Sequence, residues 1–95
     1  VVVSSKSERR AASEDVAAYH EAELAKLVAR VGEAIDGFRA GQMDAFDVDQ
    51  VLHQYSRSAK ELWKFCNRGS VELSASLIRD ESSFDWWERG APRRL

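Results

Sequence analysis

The chain has 95 residues, enough for one domain near the lower end of sizes that bury a self-sufficient core. Fourteen basic residues against sixteen acidic ones leave a formal charge of -2, so no global positive field draws the protein to nucleic acid or anionic lipid. A hydrophobic fraction of 44% excludes a wholly disordered chain, and 32% charged residues with a single proline suit a solvated helical bundle.

Residues 1 to 12 mix three valines with SSKSERR and two alanines, and no periodic apolar face develops before Val16. This segment is expected to be a flexible arm, with Arg9 and Arg10 solvated. The valines are not followed by the apolar core of a signal peptide. No run in the chain approaches the roughly 20 apolar residues that span a bilayer, so no membrane contact and a cytoplasmic location are expected.

Ser13 is suited to cap a first helix, with Glu14 and Asp15 where the helix dipole favours negative charge. The helix is predicted over about 13–40. Ala17, Leu24, Val31 and Phe38 recur at heptad spacing, as in a coiled coil, and Leu27, Val28, Ala34 and Ile35 widen the stripe. Glu23, Lys26, Arg30, Glu33 and Asp36 form the opposite, polar face. Gly41 is placed to close this helix, and Asp44 with Asp47 to form a capping box for the next. A connection this short predicts an antiparallel hairpin, with Phe38 beside Phe46 and Val48.

The second helix, about 45–68, has the cleanest period in the chain: Val48, Leu52, Tyr55, Ala59, Leu62 and Cys66 alternate at spacings of four and three. Tyr55 and Cys66 therefore read as core, and Cys66, the sole cysteine, forms no intrachain disulfide. Trp63 and Phe65 flank the seam on opposite sides, which calls for more than one neighbour. A third helix over about 71–89, started by Ser70 and weakened at 80–83 by Asp80, Ser82 and Ser83, is expected across the wider end of the hairpin. Residues 90 to 95 read as a flexible tail.

The stretch DAFDVDQVLHQYSRSAKELW, with DAF, LH and Tyr55 its most distinctive parts, resembles a set of small uncharacterised helical proteins of bacteria and archaea. The resemblance covers about a quarter of the chain and implies a helical hairpin without implying a function. No active residue can be carried over from it.

Candidate chemistry is sparse. Asp49 and His53 share a helix face at i,i+4, the spacing of half a metal site or an acid/base pair, but they lie off the apolar seam near Arg57, as ordinary surface pairs do. His20, with Glu21 and Glu23 nearby, lacks further ligands in its own segment. No catalytic, cofactor or metal residues are assigned. Trp86 and Trp87 cannot both face one core, so they are assigned with Trp63 to a possible partner surface. The expectation is an all-α, non-enzymatic interaction module that pairs as a homodimer through a four-helix core and meets another protein at its C-terminal tryptophans. The alternative is a small regulatory protein that contacts nucleic acid through its terminal arginines and tryptophans.

Overall fold

The computed structural model describes residues 5–80 and 84–92. Four helices follow one another, α1 (Lys6–Arg39), α2 (Ala45–Cys66), α3 (Val71–Asp80) and α4 (Trp86–Arg89), and no strand occurs among the described residues.

The first helix begins at Lys6, well before the expected start at Ser13. Ser5 is the cap, its Oγ accepting from the Glu8 amide at 3.1 Å. The added turns are supported by tertiary contact, because Ala12 and Val16 are buried in the main core cluster. Alanine side chains are too small to advertise such a face in the sequence. Residues 1–4 of the expected arm lie outside the described residues.

The hairpin turn follows the chemistry expected of it. Gly41 adopts φ +76, a left-handed conformation that costs glycine little. Asp44 and Asp47 form the capping box, with amide-to-carboxylate distances of 2.8 and 3.0 Å. α1 and α2 then run antiparallel: Phe38 lies with Ala45, Val48 and Leu52 near the turn, while Tyr19 and Phe65 meet at the far end with ring centroids 6.0 Å apart. Gly69, at φ +57, turns the chain out of α2, and Ser70 Oγ accepts from the Leu73 amide at 3.1 Å to start α3.

α3 lies along the first half of α1, where Glu8, Ala11, Ala12 and Asp15 face Glu72 and Arg79 across a shallow cleft. It ends at Asp80. The expected break at 80–83 falls largely on residues 81–83, outside the described residues, and α4 is a separate single turn. Gly90, assigned to the tail by sequence, is buried against α2. Residues 93–95 of that tail lie outside the described residues.

The core sits at the open end of the hairpin. Leu62 is fully buried there with Leu27, Phe65, Cys66, Ala75 and Trp86. Phe65 lies 5.4 Å from Phe84 and 5.1 Å from Trp86, centroid to centroid, and tilted or edge-on rings of this kind add to their area burial. The molecule measures 58 × 30 × 17 Å. Its thinnest dimension is less than two helix diameters of about 10 Å each, so much of the hairpin is covered on one side only.

Candidate interaction surface

The C-terminal turn covers one side of the hairpin, and polar groups hold it there. Asp85 caps α4 by accepting from the Glu88 amide at 3.2 Å. At the other end of the turn, Gln54 Nε2 and Ser58 Oγ donate to the Trp87 carbonyl at 2.9 and 3.1 Å, and Arg57 Nε donates to the Gly90 carbonyl at 2.6 Å. α2 thus supplies a partner for the Gly90 carbonyl and further donors to the Trp87 carbonyl, which also accepts from the Gly90 amide at 3.1 Å. Trp86 Nε1 donates to the Tyr19 hydroxyl at 2.8 Å, which satisfies the indole inside the core.

This docking corrects the assignment of the tryptophans. Trp86 is 3% exposed and belongs to the core. Trp87 is half-buried, with the Arg30 guanidinium 5.5 Å from its ring. Only Trp63, 58% exposed, remains open as the sequence reading required of a partner residue. The polar face of α1 is also redefined, because Glu23, Lys26 and Arg30 line a cleft of about 340 Å³ with Phe84, Asp85, Trp86 and Trp87. α4 has settled beside the charged side of α1, and the apolar stripe is left for something else.

That stripe is visible from helix geometry. At 100° per residue, Leu24, Val28, Val31, Ile35 and Phe38 project from α1 on the side away from Glu23, Lys26 and Arg30. On α2, Val48, Leu52, Ala59 and Trp63 project away from Gln54, Arg57 and Ser58. Val28, Phe38, Leu52 and Trp63 are among the large apolar residues most open to solvent, with Ile35 close behind. Leu24, Val31, Val48, Tyr55 and Ala59 are half-buried between them. Tyr55, expected in the core, is half-buried and packs against the core cluster from its edge; the burial maximum of α2 runs through Ser58, Leu62, Phe65 and Cys66.

The polar candidates stay at the surface. His53 Nε2 lies 3.4 Å from Asp49 Oδ2, with both side chains about two-thirds exposed at 67% and 66%. Arg57 does not join them, since its Nε is committed to Gly90. His20 is half-buried on α1. Among the described residues no three His, Cys, Asp or Glu side chains gather as a metal-holding group, and no helix is long and apolar enough to cross a membrane.

Two weak acids respond to the core, buried Cys66 and half-buried Tyr19. Burial, with a smaller contribution from Glu23, pushes the Cys66 thiol up from 9.0 to about 11. Burial also raises the Tyr19 hydroxyl, against the opposing effect of its hydrogen bond from Trp86. Both groups therefore hold their protons more tightly folded than unfolded, and the stability this gives is present below pH 9 and lost as pH rises through about 11. Thermal melts across this range should show a falling midpoint, with a shallower fall in Cys66→Ala. At pH 8 the thiol should resist alkylation until the protein is unfolded.

Scans against family models, curated proteins and solved structures found no match to this chain. The fold and surface define it as an all-helical hairpin protein with one covered and one open side.

Proposed function

We propose that the protein is a non-enzymatic helical interaction module that works by self-association, most simply as a twofold dimer in which two hairpins form a four-helix core. One observation carries this reading: the open side of the hairpin is a continuous apolar face, including Val28 at 51%, Phe38 at 50% and Leu52 at 44% exposure. An amphipathic helix gains most of its stability by burying such a face. A face of this kind is a liability in water, and closed twofold pairing is the commonest way soluble proteins bury one.

The size of the face sets the expected strength. From Leu24 to Phe38 the stripe is roughly 20 Å long and two helices wide, which gives on the order of 400 Å² per copy in projection. A pair of this size, about 800 Å² in total, falls below the roughly 1,200 Å² of stable specific interfaces and in the range of weak, transient ones, and is expected to dissociate in the micromolar range or above. The alternative of nucleic-acid contact through the terminal arginines and tryptophans has less support, because the formal charge is -2, Arg89 stacks on the Phe84 and Trp86 rings and Trp86 is buried.

Sedimentation across micromolar concentrations tests the reading. A concentration-dependent dimer is expected, and Val28→Glu should abolish it without lowering the melting temperature of the monomer, since Val28 is half open already. A 10.7 kDa monomer at every concentration would overturn it.

A further inference from the structure

Building on that reading, we infer that the two hairpins pair in opposite directions, turn end against open end, about a twofold axis that crosses the face at the level of Val31 and Tyr55. The inference comes from charges that border the apolar face. Along the outer edge of α1 the exposed charges beside the stripe are Glu21 and Arg39; along the outer edge of α2 they are Asp49, which also faces His53 on its own helix, and Lys60. Each edge therefore carries one charge of each sign, separated along the helix.

Their spacing is self-complementary about a single level. The midpoint between Glu21 and Arg39 is Arg30, and the midpoint of the stripe from Leu24 to Phe38 is Val31. On α2 the midpoint between Asp49 and Lys60 falls between Gln54 and Tyr55, and that of the stripe from Val48 to Trp63 falls between Tyr55 and Ser56. The hairpin itself places these levels side by side, as the neighbouring pairs Phe38 with Val48 and Tyr19 with Phe65 require. A half-turn about this level lays α1 antiparallel on the partner's α1 and α2 on the partner's α2. It brings Arg39 to the partner's Glu21 and Asp49 to the partner's Lys60, and it repeats both pairs by symmetry. The same operation sets bulky Phe38 near the partner's Leu24 and Leu52 near the partner's Ala59, so that large side chains meet smaller ones across the seam.

Charges at the rim of an interface fix register and suppress wrong pairings. Here they select between two dimers that the apolar face alone would permit. Pairing in the same direction, with both turns together, sets Arg39 beside the partner's Asp49, while Glu21 and Lys60 are offset along the axis by several residues and Lys64, level with Glu21, points further from the face and pairs with Glu61 on its own helix.

Charge reversal and distance measurement separate these arrangements. Arg39→Glu should weaken the dimer about tenfold by placing like charges at two symmetric positions, and Glu21→Arg in the same chain should restore it. Restoration by Asp49→Arg in place of Glu21→Arg would overturn the proposal in favour of same-direction pairing. A spin label on Gln42→Cys at the turn, with buried Cys66 left unlabelled, should report a separation of about 35 Å between copies, from twice the rise between Val31 and Gln42. A separation of about 15 Å, or an existing dimer indifferent to Arg39→Glu, would also overturn it. A wild-type chain that never dimerises would instead remove the underlying reading, an outcome distinct from each of these.

Discussion

Gly90→Ala is expected to lift the C-terminal turn off α2 and to cost about 3 kcal/mol of folding stability, at the upper end for overpacking a tight site. A Cβ at Gly90 would stand 2.5 Å from the Ser58 amide nitrogen and 2.7 Å from the Gln54 carbonyl oxygen, with Ser58 Oγ closer still. Two of these are backbone atoms inside a helix, which cannot move aside as a flexible side chain would. Gly90 has φ -93, so alanine suffers no backbone strain of its own and the whole effect is steric. Lifting the turn also breaks the hydrogen bonds from Gln54, Ser58 and Arg57, and it exposes Trp86. Urea unfolding gives the loss, and a red-shifted tryptophan emission identifies its cause. Gly32→Ala is the control: a Cβ there meets nothing within 4 Å, and removing a mid-helix glycine should stabilise by up to about 1 kcal/mol. An unchanged urea midpoint for Gly90→Ala would mean that α4 is not docked through this site.

The second large effect is expected at Leu62. Leu62→Ala should cost about 2–5 kcal/mol, a substantial part of the roughly 5–15 kcal/mol that holds a domain together. The residue is 0% exposed, within the cluster of Leu27, Phe65, Cys66 and Trp86, so truncation leaves a cavity that surrounding aromatic rings cannot fill without leaving their own packing. Leu52→Ala is the informative comparison, since Leu52 sits on the same sequence seam yet is 44% exposed. It should cost less than about 1 kcal/mol in the monomer while weakening self-association. Equal losses in the two variants would show that the far part of the seam is buried within one chain.

The contrast between those leucines marks how far periodicity carries. Spacings of three and four residues place Leu52 and Leu62 on a common stripe, and local chemistry places the elements: the Asp44 and Asp47 box, the left-handed glycines at 41 and 69, and Ser70 at the start of α3 are all recoverable from short-range hydrogen bonding and steric rules. These fix the hairpin because they act between residues only a few positions apart. Periodicity does not say which neighbour covers which part of a broad stripe, since that depends on residues far away in the chain.

The candidate surface was legible in part for the same reason. The apolar stripe of Leu24, Val28, Val31 and Ile35 can be read from α1 alone, and the surface character of Asp49 and His53 from α2 alone. The fates of Trp86 and Trp87 cannot. Adjacent tryptophans on one turn point in different directions, but only the hydrogen bond from Trp86 to Tyr19 and the space for Gly90 beside Ser58 decide which ring goes inside. Ser58 gave a faint signal, as a small polar residue on the flank of an otherwise apolar helix, and Gly90 gave none beyond its turn chemistry. The early start of α1 at Lys6 was likewise hidden, because Ala12 acquires its burial from contacts remote in sequence. The sequence by itself determined the helices, their caps and the antiparallel turn, through interactions over a few residues. Only the tertiary structure decided that α4 docks on the polar side of α1 and leaves the apolar side open, because that choice rests on steric fit and carbonyl pairing between residues about thirty positions apart, which no local pattern encodes.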